Sequence, residues 1–153
     1  MMSNFSKVHD FLMHEQNLHA RIADYYRELS AQASNEQVKM LLQLLVKHEI
    51  TLSTSLRDYI EKASAKVLNT FIQFEREINI KHLFNNEFKH GQISCDDVEV
   101  IAHGIDQYFS ELYADMFEAI ECDMVQTLFE NLRQHMEQEK KRLSIDINSM
   151  KDM

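Results

Sequence analysis

Residues 38–49 of the chain read VKMLLQLLVKHE. The apolar side chains in this stretch recur at intervals of three and four residues, which is the spacing that places them on one face of an α-helix. The apolar stripe extends beyond the stretch and comprises Val38, Leu41, Leu42, Leu45, Leu52, Leu56, Tyr59 and Ile60. It predicts an amphipathic helix from about Asn35 to about Ala63, with Glu49 on its apolar face.

Three other stretches of the chain show the same periodicity. They predict a first helix over Lys7 to Ser30, a third over Cys95 to Glu121 and a fourth that ends at about Asn148. Sequences typical of capping boxes, in which a side-chain oxygen binds an amide of the first turn, precede helices two to four at Ser34–Gln37, Ser94–Asp97 and Asp123–Gln126. The chain has no proline and two glycines, so it lacks the turn residues that many short strands need. The sequence therefore predicts an all-α protein.

The order of these helices predicts a single domain over residues 1–153, folded as a four-helix bundle. Short links join the members of each pair, so the helices of hairpin 7–63 and of hairpin 95–148 should be antiparallel. The crossover between the hairpins, residues 64–94, is too long to be a structureless loop, and its apolar residues predict additional helical turns. Its phenylalanines either pack on the bundle or form a dimer interface, and the sequence leaves both alternatives open.

The two hairpins resemble each other in sequence. At an ungapped offset of 87 residues, Tyr26 aligns with Tyr113, and the apolar positions of the two hairpins largely coincide. Two amphipathic hairpins of equal length produce part of this agreement by chance. A duplication would relate the hairpins by a pseudo-two-fold axis and would make His19 and Asp106 equivalent positions.

The charge of the chain excludes several classes of partner. The net charge is −9 and the isoelectric point is about 5.3, whereas nucleic acids and anionic membranes bind basic surfaces. No stretch approaches the roughly 18 apolar residues of a membrane span, and the N-terminus has no basic or apolar leader, so we expect a cytoplasmic protein.

Cys95 and Cys122 are far apart in sequence and are expected to be buried or half-buried thiols. Nucleotide-binding motifs do not occur, so we expect no nucleotide cofactor.

Four ionisable residues fall within the apolar stripes, one in each predicted helix: His19, Glu49, Asp106 and Glu139. A carboxylate in a buried stripe is costly unless it is hydrogen-bonded or bound to a cation. These side chains are therefore candidate metal ligands that point to a common centre, and hydrogen bonds to a neighbouring His or Tyr are the alternative. Glu15 is a further candidate, whereas His14, His48 and His135 adjoin the stripes and are expected to be structural.

The first hairpin resembles a known family of proteins. The run from His19 to Tyr26, followed by Val38 to Glu49, is similar to the first hairpin of the rubrerythrin-like branch of the ferritin-like superfamily. In that family an acidic residue precedes a Tyr by seven positions, and Asp106 and Tyr113 repeat this spacing in the second hairpin. The resemblance implies a ferritin-like bundle and covers most of the chain except the crossover.

The resemblance also implies a particular set of metal ligands. The family has Glu, Glu and His where this chain has His19, Glu49 and Leu52. It has the same three residues where this chain has Asp106, Met136 and Glu139. In the family these side chains hold two iron or manganese ions for oxygen or peroxide chemistry. Met136 and Leu52 are not ligands, so the dinuclear site is degenerate, and what remains predicts one site of three to four ligands for iron, manganese or zinc.

Two functions follow from this sequence. The first is a ferritin-like protein that binds a single metal ion and acts, if it is an enzyme, as an oxygen- or peroxide-handling oxidoreductase. The second is a non-enzymatic, metal-free bundle in which the same residues form a hydrogen-bonded network and the protein acts by homodimerisation or partner binding. We expect no redox turnover, because such chemistry usually needs the full dinuclear set, and the sequence identifies no catalytic residue.

Overall fold

The computed structural model describes residues 5–73 and 93–152, and these residues are mostly helical. In chain order, the elements are β1 (Phe5–Lys7), α1 (Val8–Gln32), α2 (Glu36–Lys62), α3 (Ala65–Leu68), β2 (Phe71–Gln73), α4 (Cys95–Ala119) and α5 (Asp123–Lys151). Each long helix lies within a few residues of its predicted bounds. The predicted all-helical character is thus confirmed for the part of the chain that the structure describes.

The four long helices pack together as a bundle. Helix α1 packs along α2, α4 packs along α5, and α2 also contacts both α4 and α5. The apolar stripes meet in one core, in which rings from different helices touch: Phe11 of α1 and Phe129 of α5 form an edge-to-face pair with centroids 5.3 Å apart. Buried apolar side chains from all four long helices thus form a single core.

The two short strands were not expected from the sequence. Strand β1 pairs with β2 in antiparallel register, with Ser6 opposite Ile72, and the pairing ends where the Val8 amide donates to the Thr70 carbonyl at 2.9 Å. The sequence predicts one or two helical turns in the crossover, and α3 is one such turn, whereas β2 is extended. Lys7, predicted to be helical, belongs to β1.

For the phenylalanines of the crossover, the sequence left open whether they pack on the bundle or form a dimer interface. Three of the four lie outside the described residues, namely Phe74, Phe84 and Phe88.

None of the helices in residues 5–73 and 93–152 combines the length and apolar character that crossing a membrane requires. Of the two cysteines, Cys95 is half-buried, as expected, whereas Cys122 is exposed.

Of the three capping boxes predicted from the sequence, one is present at its predicted position. The N-cap of α2 is Asn35 and not Ser34, and the Asn35 side chain accepts hydrogen bonds from the amides of Gln37 and Val38. The box of Ser94 and Asp97 is present at the start of α4.

The third predicted cap is replaced by a different interaction. The N-cap of α5 is Cys122, which makes no side-chain cap hydrogen bond. The Gln126 side chain instead donates to the carbonyls of Phe117 and Ile120 at the end of α4. It thereby satisfies carbonyls that a helix C-terminus leaves without partners.

We expect Asn35→Ala to lower the free energy of unfolding by about 1 kcal/mol, because the first turn of α2 loses its side-chain acceptor. Asn35→Asp is the matched control, since a carboxylate still accepts from the same amides, and it should be close to the wild type. Urea unfolding followed by circular dichroism measures both variants. Equal stability of Asn35→Ala and the wild type would contradict the assignment of the cap.

Candidate metal centre

All four ionisable residues predicted to face the core are buried. His19 on α1 is 1% exposed, Glu49 on α2 is 0%, Asp106 on α4 is 4% and Glu139 on α5 is 7%. Each lies in the interior of a long helix, where the turns before and after it contribute apolar side chains to the core. The sequence pattern thus identified which side chains are removed from water, and their partners decide what they do.

His19 and Glu49 form one buried pair that joins α1 to α2. The His19 Nδ1 atom lies 2.9 Å from the Glu49 Oε1 atom, and the imidazole stacks on the ring of Phe109 with centroids 4.0 Å apart. Burial lowers the pKa of His19 to about 4, against the opposing negative charges of Glu15 and Asp106. His19 is therefore a neutral imidazole near pH 7.

His48 and Asp106 form a second buried pair that joins α2 to α4. The His48 Nε2 atom lies 3.1 and 3.2 Å from the two carboxylate oxygens of Asp106. Burial acts to lower the pKa of His48, but the hydrogen bond to Asp106 and the surrounding negative charges outweigh it, so this pKa lies above the usual histidine value. The pair therefore favours the charged form of His48.

Glu49 connects the two pairs. Its Oε2 atom lies 3.8 Å from the His48 Nε2 atom and has no hydrogen-bond partner among the described residues. Burial, and next the negative charge of Asp106, hold the pKa of Glu49 well above its ordinary value. A buried carboxyl oxygen without a partner is unusual in a folded protein, and it marks this position as one where a ligand would be stabilising.

Three of these residues have the geometry of a metal-binding group. His48, Glu49 and Asp106 each offer a ligand atom, and the three atoms lie within 4.8 Å of one another. One imidazole nitrogen and two carboxylate oxygens form a donor set that fits a divalent cation such as iron, manganese or zinc. The group therefore could bind a metal ion.

The remaining predicted ligands lie beside this group and not within it. Glu139 has its Oε1 atom 3.7 Å from the His135 Nε2 atom and 3.5 Å from the Arg142 Nη1 atom. It shares with His48 the wall of a polar cavity of about 250 Å³ between α2 and α5. His19 is not a member of the group, and it forms a hydrogen bond to Glu49.

Glu15, the further candidate on α1, is also fully buried. Its Oε1 atom lies 3.2 Å from the His14 Nδ1 atom, and its Oε2 atom has no hydrogen-bond partner among the described residues. It is not a member of the group of three found in the described residues.

His48 is the member of the group that the sequence-based interpretation missed. The sequence predicts a structural role for it because it lies at the edge of the apolar stripe. A signal was nevertheless present: His48 and Glu49 follow Leu41 and Leu42 by seven residues, so the two pairs share a face of the helix. All four side chains are buried in the structure.

Comparisons of the chain with protein-family models, with curated proteins and with solved structures give no match.

We expect the metal-free protein to lose stability as the pH rises above about 6.5, the ordinary pKa of histidine, since groups with a raised pKa in the folded state favour folding only while protonated. For Glu49 the loss begins already above its ordinary pKa of 4.5. Glu49 and His48 both have raised pKa values, so each contributes to this loss. The lowered pKa of His19 makes the stability rise with pH between about 4 and 6.5, so it does not contribute to the change above pH 6.5. Urea unfolding in the presence of a chelator measures the slope.

Glu49→Gln should make the loss of stability smaller, because an amide keeps the shape of the protonated acid and does not ionise. Glu118→Gln is the matched control, since Glu118 is exposed. If Glu49→Gln and the wild type lose the same stability over this window, Glu49 does not hold its proton as described.

Proposed function

We propose that this protein is a metal-binding helical bundle that holds one divalent ion with His48, Glu49 and Asp106. The observation that supports the proposal is that three buried residues offer ligand atoms within 4.8 Å of one another, and that the Oε2 atom of one of them, Glu49, has no hydrogen-bond partner among the described residues. The ion would be iron, manganese or zinc, in keeping with the nitrogen and oxygen donors. We place the protein in the cytoplasm, as its sequence predicts.

The electrostatics of the group favour a cation. Glu49 and Asp106 lie close together in the core, and the charge of one raises the pKa of the other. Two carboxylates in such a position cannot both ionise cheaply unless positive charge balances them. A divalent ion supplies that charge at the point where the carboxyl oxygens converge.

The residues around the group support its ligands. The hydrogen bond from His19 engages Glu49 Oε1 and leaves Oε2 facing His48. Interactions of this kind orient metal ligands and contribute to affinity. The polar cavity that His48 shares with Glu139 would provide the path by which an ion enters, with Glu139 at its wall.

We further propose that the protein descends from ferritin-like ancestors and has lost their dinuclear chemistry. In its favour, each long helix contributes at least one buried ionisable residue, as the resemblance in sequence implies. Leu52 and Met136, which stand where that family has His and Glu, are buried and apolar. A bound iron or manganese ion would supply redox chemistry and zinc would act as a Lewis acid, but we expect binding without redox turnover.

The proposal predicts about one equivalent of metal per chain after purification without chelators. His48→Ala and Glu49→Gln should each weaken binding at least about tenfold, in line with the loss of a ligand in known metal sites. Elemental analysis gives the stoichiometry, and titration of chelator-treated protein with Zn²⁺, Mn²⁺ or Fe²⁺ in a calorimeter gives the affinity.

Two exposed residues provide matched controls for this experiment. His9→Ala and Glu118→Gln make the same chemical changes away from the core and should bind metal as the wild type does. Failure of the wild type to bind any of the three ions at micromolar concentration would refute the proposal. Equal affinity of the wild type and both core variants would place the ion elsewhere.

The second candidate function is a metal-free bundle that acts by self-association. Two observations favour it. Glu49 already has a hydrogen bond to His19, and His48 has one to Asp106, which together form a buried polar network. In addition, Val100 and Ile145 are 69% and 65% exposed and line one groove between α4 and α5. An exposed apolar groove is typical of a surface that binds another protein.

If this groove forms a homodimer interface, Ile145→Lys should weaken the dimer at least about tenfold, because a buried unpaired charge costs more than 1.4 kcal/mol. Ile50→Lys is the matched control, since Ile50 is an exposed residue of α2. Sedimentation velocity measures the association of both. A wild-type protein that remains monomeric at about 100 µM would eliminate this candidate, as that concentration exceeds the micromolar affinity of ordinary interfaces.

A further inference from the structure

A second cavity is lined by His19, which is hydrogen-bonded to Glu49 of the metal-binding group. Its volume is about 250 Å³. Its inner wall consists of buried side chains from all four long helices, namely His19, Leu52, Leu56, Tyr113, Leu132 and Met136. Its outer wall is polar and partly exposed, with Ser55, Tyr59, Asn131 and His135.

The chemistry of the walls determines which molecules suit the cavity. Within residues 5–73 and 93–152, the side chains that line it include no Lys, Arg, Asp or Glu, so a charged ligand would lose its hydration without gaining a counter-charge from them. The inner wall is mainly leucine and methionine, which favour an apolar body. An apolar cavity of about 150 Å³ is enough to admit benzene, so this one has room for a substituted ring.

His19 provides a polar contact at the inner wall, which also contains the hydroxyl group of Tyr113. Its Nδ1 atom is engaged by Glu49, which leaves Nε2 as the ring nitrogen available to a molecule in the cavity. In a neutral imidazole, Nε2 is either a donor or an acceptor, according to the tautomer. A hydroxyl group can donate and accept, so it forms a hydrogen bond to Nε2 in either case.

We propose that this cavity is a binding site for a small uncharged molecule with an apolar body and one hydroxyl group, which hydrogen-bonds to His19 Nε2. Phenols and cyclic alcohols are the class that fits. The proposal does not depend on metal binding. If an ion is bound as well, both ligands would interact with the His19 imidazole. The small molecule would do so directly at Nε2, and the ion would do so through Glu49, which is hydrogen-bonded to Nδ1.

Three matched probes test the class of ligand. 4-Ethylphenol should bind, and 4-ethyltoluene, which has a methyl group in place of the hydroxyl, should bind about tenfold more weakly because the hydrogen bond to His19 is lost. The charged 4-ethylbenzoate should bind at least about tenfold more weakly than the phenol, since burying an unpaired charge is costly. Calorimetry with chelator-treated protein measures the affinities, so that a failure of the metal proposal does not affect the result.

Two substitutions on α2 test the location of the site. Ser55→Trp fills the outer part of the cavity and should weaken binding of 4-ethylphenol at least about tenfold, as a blocked entrance excludes the ligand. Thr54→Trp is the control, because Thr54 is equally half-buried and does not line the cavity. Circular dichroism establishes that both variants are folded.

A further measurement covers the case in which Ser55→Trp does not fold. In the wild type, 4-ethylphenol should shift the ¹⁵N resonance of His19 Nε2 and shift that of exposed His9 much less. Absence of 4-ethylphenol binding at millimolar concentration would overturn the proposal. So would equal binding of 4-ethyltoluene, unchanged affinity in Ser55→Trp, or an unshifted His19 resonance.

Discussion

The interior of this protein is constrained by ionisable groups that must be balanced away from water. The bond between His19 and Glu49 ties α1 to α2, and the bond between His48 and Asp106 ties α2 to α4. Sliding α1 or α4 along α2 by one turn would leave a buried carboxyl group or imidazole without its partner. The free-energy cost would be comparable to a large part of a domain's stability. These two bonds therefore fix the register of three helices, which apolar packing alone specifies less strictly.

The sequence predicted the helices because their apolar stripes are long and regular, and it predicted that Glu49 and Asp106 are buried because both interrupt a stripe. It did not assign His48 to the site. How much of a helix is buried depends on the number of its neighbours, and α2 contacts three other long helices. That number is a property of the assembled bundle, so the edge of a stripe cannot be located from one helix.

The misplaced cap at Ser34 has a more local cause, since Asn35 is an equally good capping residue one position later.

The metal-binding group and the apolar cavity are related through His19. Leu52 and Met136 line the cavity at positions where the resembling family places a His and a Glu. In our interpretation, replacement of those two ligands by apolar residues both removed one half of a dinuclear site and left room beside His19. The loss of these metal ligands and the presence of a small-molecule cavity would then both result from the same two substitutions.

Protons and a metal ion are alternative means of balancing this core. Without an ion, burial raises the pKa of Glu49 and so favours the protonated form of its carboxyl group, and His48 is hydrogen-bonded to Asp106. A metal ligand must be deprotonated, so an ion that binds here has to displace the protons that stabilise the metal-free fold. The two hydrogen-bonded pairs and the metal site are therefore not competing descriptions of one structure. They would be two states of the same residues, and the affinity for an ion would be set against the stability of the network that the ion replaces.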